Sequence, residues 1–381
     1  MKAVVLEHGI IHESDNTFGY AAWPTVAKMP DGSLAAVYSG NRVDHVCPFG
    51  RVLMRKSYDN GKTWGAPVTV IDTDLDDRDG GIVVFGENRD KIMVTSFNNT
   101  TELQRDYFRH HKAHNLPLVT AFVDRLEGLE NFNERQESVL GSTYVLSEDN
   151  GKSFTDVTVL PITAPHGPCV LKDGSLFYVG SAFMSEKGAG YAYGNFKVIT
   201  NKKFLYYLRS KDGKEWSEPV MIPADVVPEG ENWFFCEPHA VELENGRILV
   251  VIRIHKSKDN KEYWRGSYVC HSDDGGLTWS TPEIIAERGF PPHLVQLKNG
   301  LVVCSYGYRY GDQMGQRVKV SADNGDSWSE EMILRGDAVT DDLGYPSTVE
   351  LDDGTLLTVY YHNVARGKNC GIYYTKWKLE E

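Results

Sequence analysis

Ser272-Asp273-Asp274-Gly275-Gly276-Leu277-Thr278-Trp279 is one of five related turns that set the period of this sequence. Ser57 to Trp64 and Ser321 to Trp328 read S-x-D-N-G-x-[ST]-W, and Ser147 to Phe154 has the same form with a closing Phe. Ser210 to Trp216 is a copy one residue shorter. Asn-Gly, Asp-Gly and Gly-Gly supply the positive φ values of a tight hairpin, and an Asp just before them folds its carboxylate onto the turn's own N–H groups. The closing aromatic anchors the outgoing strand in an apolar layer. One such turn is common on any surface, whereas five in register describe a repeat.

Ahead of the turns runs a second pattern, a short apolar strand, a polar-Gly turn and another apolar strand. It occurs at Pro24 to Leu34, Gly81 to Val94, Gly167 to Leu176, Pro238 to Leu249, Pro292 to Val302 and Pro346 to Leu357. Each unit therefore reads as a four-stranded antiparallel meander, and six in series predict an all-β, six-bladed β-propeller using residues 1–381 as a single domain. The sixth unit ends at Trp377 without an Asp turn, so Ala3 to Ile11 is expected to supply its outer strand and close the ring. Glu102 to Glu137 does not fit the meander. Its spacing of apolar residues predicts one or two amphipathic helices, or a long lid, inserted at about 102–137 to overhang the site or to contact a second subunit in a homo-oligomer. His110, His111 and His114 lie in it without an acidic or Cys partner at metal-ligand spacing, and no metal is assigned.

Forty basic residues against 53 acidic give a formal charge of −13, which disfavours nucleic acid and anionic lipid as partners. No stretch approaches a membrane span, and the N-terminus meets a charge before any long apolar run, so a cytoplasmic protein is expected. The six cysteines are far apart with no C-x-x-C, which suits buried reduced thiols.

In a meander the start of the first strand and the end of the second lie at one end of the blade, and the Asp turns lie at the other. First-strand starts bring Trp23, Asp76 to Asp79 (with Arg78), His166, Glu237, His239, His293 and Tyr345 to one mouth. Second-strand ends add Arg42, Asp44, His45, Asn98, Arg253, His255, Tyr308, Arg309, Tyr361 and His362. Several arginines in an acidic protein, with candidate acids and a Tyr beside a Glu, suggest a saccharide pocket in which guanidinium groups clamp a carboxylate.

These features resemble the sialidase superfamily of Asp-box, or BNR-repeat, six-bladed propellers, along nearly the whole chain. Glu237 to Arg247 followed by Arg253 is similar to the segment in which a Glu polarises the nucleophile and an Arg binds the sugar carboxylate. Gly344 to Leu351 is similar to the segment that bears the Tyr nucleophile. The resemblance thus implies Tyr345 as nucleophile, Glu237 as its base partner, and Arg42 and Asp44 in place of an extra Arg and the acid/base Asp. A Tyr nucleophile suits an anionic sugar, because a neutral phenol approaches the anomeric carbon without the repulsion that a carboxylate meets. The family's first carboxylate-binding Arg, two residues before the Pro, is missing from Ala22-Trp23-Pro24, and its third falls on Arg309 or Arg317. Arg42, Arg51 or Arg78 could restore the lost contact, or the sugar could be another acidic or a neutral one. His45, His166, His239 and His293 add candidate acids or bases.

The expected activity is that of a sialidase-like exo-glycoside hydrolase acting on a terminal acidic sugar of a small oligosaccharide, without cofactor. Tyr345, Glu237 and Asp44 are the candidate catalytic residues. Arg42, Arg253, Arg309, His45, Arg78, Asp79, His166, His239, His293 and Arg317 are the candidate substrate contacts. The alternatives are a uronic-acid-directed hydrolase or lyase using a His or Asp of the same mouth, and a non-catalytic carbohydrate-binding propeller.

Overall fold

The structure, a computed structural model, describes residues 1–14, 16–110, 116–182, 205–223, 227, 229, 231–258 and 261–380. His111 and His114 lie outside them. Apolar residues alternate with polar ones at strand period and are interrupted by glycine turns, and the described residues accordingly form six antiparallel sheets. Blade 1 is Tyr20–Lys28, Leu34–Arg42, Arg51–Ser57 and Val68–Ile71 in spatial order, and the following blades repeat that meander. In blade 3 the innermost strand is split into Ile162–Thr163 and Cys169–Val170, both paired with Leu176–Ala182.

The ring closes as the unfinished sixth unit predicts. Lys2–His12 pairs antiparallel with Gly371–Glu380 on the outside of blade 6, so that one sheet holds both ends of the described chain. This covers the strand edge that would otherwise be left bare on Gly371–Glu380.

The five Asp turns are built alike. In blade 4 the Ser272 hydroxyl donates to Asp274 Oδ1 at 2.8 Å and accepts the Gly276 N–H at 2.7 Å, while Asp274 takes the Thr278 N–H and hydroxyl at 2.9 and 2.6 Å. Gly275 and Gly276 both have positive φ, 72° and 91°, which is why Gly or Asn stands at these two positions. In the short copy a single left-handed residue, Gly213, does the work, and its N–H still reaches the Ser210 hydroxyl at 2.8 Å. The closing aromatics pack between blades. Trp64 lies against the layer shared by blades 6 and 1, Phe154 between 1 and 2, Trp216 between 2 and 3, Trp279 between 3 and 4, and Trp328 between 4 and 5. Each turn thus joins its own blade to the one before.

The described residues of the insertion form helices, as its pattern predicts, in three stretches: α1 (Thr101–His110), α2 (Leu116–Glu127) and α3 (Phe132–Val139). The break between α2 and α3 follows from Gly128 and from Asn131, whose φ is 58°. Arg105 of α1 binds Asp124 and Glu127 of α2 at 2.6 and 2.7 Å. Phe108, Val119 and Val123 bury themselves against Val43, Val46 and Cys47 of the loop after the second strand of blade 1, at the mouth. Asn98 fastens the base of the insertion, donating to Val139 O at 2.8 Å and accepting the Gly141 N–H at 2.9 Å. All six cysteines are buried.

Candidate active site

Four blades repeat one backbone device at the mouth. The innermost strands lose register between Ala22 and Thr25, Arg78 and Gly81, Cys236 and His239, and Gly344 and Ser347. At each of these bulges one non-glycine residue takes a left-handed conformation: Trp23 (φ 55°), Asp79 (48°), Glu237 (48°) and Tyr345 (50°). Such backbones cost of order 1 kcal/mol or more each and persist only where the surroundings hold them. A bulge also takes its residue out of the in-and-out alternation of the strand. Four side chains from four blades therefore meet near the axis. The Tyr345 ring lies 6.4 Å from that of Trp23, its hydroxyl reaches Glu237, and Glu237 shares a cavity with Asp79.

Tyr345 and Glu237 are 108 residues apart in sequence, yet the Tyr345 hydroxyl donates to Glu237 Oε1 at 2.6 Å. Arg253 Nη1 holds the other oxygen, Oε2, at 2.5 Å. Burial alone would raise the Glu237 carboxyl, but Arg253, the Tyr345 hydroxyl and Arg309 outweigh it and keep it below the usual carboxylate range. Burial, with the charges of Glu237 and Asp79, pushes the Tyr345 phenol well above its ordinary value. An ionised acceptor therefore faces a neutral hydroxyl, the starting state for a phenol that gives up its proton only as it bonds to carbon.

The Phe290 ring meets two arginines, with Arg253 Cζ 4.5 Å and Arg309 Cζ 5.1 Å from its centre. Arg309 Nη2 also reaches the Tyr361 hydroxyl at 3.5 Å. Behind them Asp342 accepts from Tyr361 at 3.0 Å and from Tyr20 at 2.8 Å, and lies 3.3 Å from His45 Nδ1. Burial lowers the His45 imidazole, with Asp342 opposing. A cavity of ≈ 270 Å³ opens beside Glu237, walled by Asp79, Arg253, His255, Phe97 and Phe234.

The structure thus brings Tyr345, Glu237, Arg253, Arg309 and Asp79 together, with His45 beside Trp23 at 5.0 Å between ring centres. Other expectations need correcting. Arg42 is not a substrate clamp. Its side chain has no contact with solvent, Nη1 is paired with Asp76 at 2.7 Å and bonded to Ser39 at 2.8 Å, and Nη2 donates to His45 O at 2.7 Å. Arg317 is buried as well, its guanidinium held by the carbonyls of Gln313, Gln316 and Arg335, which leaves Arg309 as the second arginine of the mouth. Arg78 stacks on Trp23 at 4.1 Å and donates to His45 O at 2.5 Å, so it supports that aromatic rather than standing free for a substrate. Asp44 is half-buried and accepts the His45 N–H at 2.7 Å.

The His166 ring lies 6.5 Å from that of Tyr345, but His239 and His293 do not crowd the mouth. They lie deeper along the inner strands and wall a second cavity, of ≈ 560 Å³, which reaches to Lys28, Glu244 and Lys298 near the opposite turns. His239 and His293 stack at 4.2 Å, and His166 meets both edge-on. His239 Nδ1 accepts the Leu294 N–H at 3.0 Å, and burial pushes the group down to about 3. Among the described residues no group of three or more His, Cys, Asp or Glu is arranged to hold a metal ion.

Phe290, Tyr20 and Asp342 are site residues that sequence reasoning missed. Phe290 had a signal, because Gly289-Phe290-Pro291 repeats the form of Gly344-Tyr345-Pro346. Tyr20 and Asp342 had none, since their meeting depends on ring closure.

The model of the family described as BNR repeat-like domain matches residues 173–370, just over half of the chain. The chain belongs to the BNR repeat-like family. Among solved structures, this BNR repeat-like propeller is similar to a Dyadobacter fermentans protein of unknown function, at 22% identity and a TM-score of 0.72, with 99% of each chain covered. It is also similar to the Penicillium chrysogenum α-L-arabinanase complexed with arabinobiose, at 14% identity and a TM-score of 0.60, covering 98% of this chain and 97% of that one. The NanB sialidase of Streptococcus pneumoniae matches at 15% identity and a TM-score of 0.63, covering 97% of this chain and 70% of that one. The fold is therefore that of propellers which include sialidases and arabinanases.

Proposed function

We propose that this protein is an exo-acting glycoside hydrolase that removes a terminal acidic sugar, with Tyr345 as nucleophile and Glu237 as the base that receives its proton. The observation that carries the reading is the 2.6 Å hydrogen bond from the Tyr345 hydroxyl to Glu237 Oε1, made between two blades by residues that both sit in strained left-handed bulges. A buried phenol needs some acceptor, but a neutral one would do, and strain of this kind collects at functional sites. Arg253 and Arg309, both against Phe290, support a carboxylate on the sugar, because guanidinium groups match its geometry and burial strengthens the pairing. With no arginine in Ala22-Trp23-Pro24, the clamp has two guanidinium groups and the aromatic wall of Trp23, which accommodates a uronic acid as well as a sialic acid. In a chain of net charge −13, an anionic sugar needs such a local cluster of arginines.

The test is Tyr345→Phe, assayed on the 4-methylumbelliferyl glycosides of N-acetylneuraminic acid and glucuronic acid. Loss of the nucleophile should lower kcat/KM by more than about 10³-fold, while the free sugar acid binds within about tenfold of its wild-type Kd, because the arginines remain. Near-normal turnover in Tyr345→Phe would remove this mechanism. A loss of affinity without any wild-type turnover would mark a binding module instead.

A further inference from the structure

We infer that Asp79, rather than Asp44, is the residue that protonates the departing oxygen and then deprotonates the incoming water. The inference rests on the reading of Tyr345 and Glu237 as a glycosidase pair and assigns the remaining role. Three aspartates lie within four residues at the start of blade 2, and two are used up by the fold. Asp76 pairs with Arg42 and accepts the Cys47 N–H at 3.0 Å, and Asp77 accepts both the N–H and the hydroxyl of Thr73, at 2.6 and 2.9 Å. Asp79 differs. It is 5% exposed, it walls the cavity beside Glu237 and Arg253, and its Oδ1 has no hydrogen-bond partner among the described residues. A buried carboxyl oxygen without a partner is costly unless it is protonated or meets a ligand.

Its backbone is held in place on both sides. Asp79 occupies the same left-handed bulge as Glu237 and Tyr345, and the next residue is Gly80, where any Cβ would come within 2.9 Å of the Tyr38 nitrogen. Only glycine fits there, so blade 2 sits tightly against blade 1 and Asp79 is fixed relative to the mouth. Burial raises its carboxyl to about 7, Arg78 and Arg42 oppose that shift, and Glu237 and Asp76 add to it. A group poised there is protonated for the first half of a displacement and can be ionised for the second. Asp44, by contrast, has one oxygen on the neighbouring His45 N–H in the ordinary manner of a loop carboxylate.

In the first step Tyr345 Oη bonds to the anomeric carbon as its proton passes to Glu237. The glycosidic C–O bond breaks, and its electron pair goes to the leaving oxygen, which takes the proton of Asp79. In the second step water bonds to the anomeric carbon and gives a proton to the Asp79 carboxylate. The tyrosyl C–O bond then breaks, and the phenolate recovers its proton from Glu237. The sum is one glycosidic bond and one water exchanged for two hydroxyl groups.

Two measurements test this. In protein labelled with carbon-13 at the aspartate carboxyl, the resonance missing from Asp79→Asn should titrate near 7, and a midpoint near 4 would overturn the assignment without any substrate. For the kinetic arm, the methyl and 4-methylumbelliferyl glycosides of N-acetylneuraminic acid and glucuronic acid are compared. Asp79→Asn should lower kcat/KM on a methyl glycoside by about 10²–10⁴-fold, and on the aryl glycoside, whose leaving group needs little protonation, by no more than about tenfold. Azide should raise kcat of Asp79→Ala on the aryl glycoside, an effect that a merely misfolded site does not show. Equal losses on both leaving groups, or a larger loss from Asp44→Asn, would overturn the role of Asp79 and leave the Tyr345–Glu237 pair standing. Absence of wild-type turnover on all four glycosides would overturn both readings.

Discussion

Arg42 and Asp76 form an ion pair with no solvent contact on either side chain, 2.7 Å apart beneath Trp23. Removing one partner leaves a buried charge without compensation, which costs about 3–5 kcal/mol, whereas an apolar pair of similar volume is tolerated far better. Arg42→Ala is therefore expected to lower the urea midpoint sharply, and the double change Arg42→Met with Asp76→Leu to recover most of the loss. Equal instability of the single and double variants would mean that the arginine's bonds to Ser39 and to backbone carbonyls matter more than the pair. Protonation at the axis gives a second expectation. Burial lowers His166, His239 and His293, so the unfolded chain takes up protons that the folded chain does not. Their neutral imidazoles contribute fully above the unfolded value of 6.5, and that contribution is lost as pH falls from there toward the folded values, about 3 for His239. Asp77 and Asp79, both raised to about 7 by burial, act in the opposite sense over the same range. The useful quantity is thus the difference between wild type and His239→Gln, whose Tm should fall less between pH 6.5 and 4.

At the scale of the element, the Asp turn carries its energy in a buried serine. Ser272 is 1% exposed and takes the Gly276 N–H, so Ser272→Ala strands a buried amide and should cost about 1–3 kcal/mol in urea unfolding. Ser57 makes the same bonds in blade 1, on the far side of the ring from blade 4. Distant sites with no shared partners add. The Ser57→Ala and Ser272→Ala double variant is accordingly expected to lose the sum of the two single losses, and marked non-additivity would show that the blades unfold in a coupled way at these turns.

For the whole molecule the closing strand decides stability. Lys2–His12 covers the edge of Gly371–Glu380, and Ala3 with Leu379 packs on the layer that holds Trp377 between blades 5 and 6. Deleting residues 1–12 exposes an apolar strand edge and loosens that layer. The truncated protein should melt well below the full chain or aggregate, and a synthetic peptide of residues 1–12 should restore part of the loss when added. A truncated protein with unchanged Tm would show that blade 6 holds without its fourth strand.

The repeat, the six blades, the outer place of the first strand and the mouth at which strand starts and ends converge were all legible in the chain. They depend on turn chemistry and strand alternation, which act over a few residues and recur at a readable period. The pairing of Tyr345 with Glu237 was legible too, but only through the resemblance of the two segments that carry them, since nothing local links residues 108 apart in the chain. Other roles came only with the closed ring. Arg42 and Arg309 look alike at the ends of second strands, yet one is sealed against Asp76 and the other faces Tyr361 across the mouth. His239 lies two residues past the bulged Glu237, and with His166 and His293 it walls the axial cavity. Asp76, Asp77 and Asp79 are indistinguishable as letters. What separates them is which oxygen finds a partner once six blades surround the axis, and that depends on burial and on contacts between residues distant in the chain.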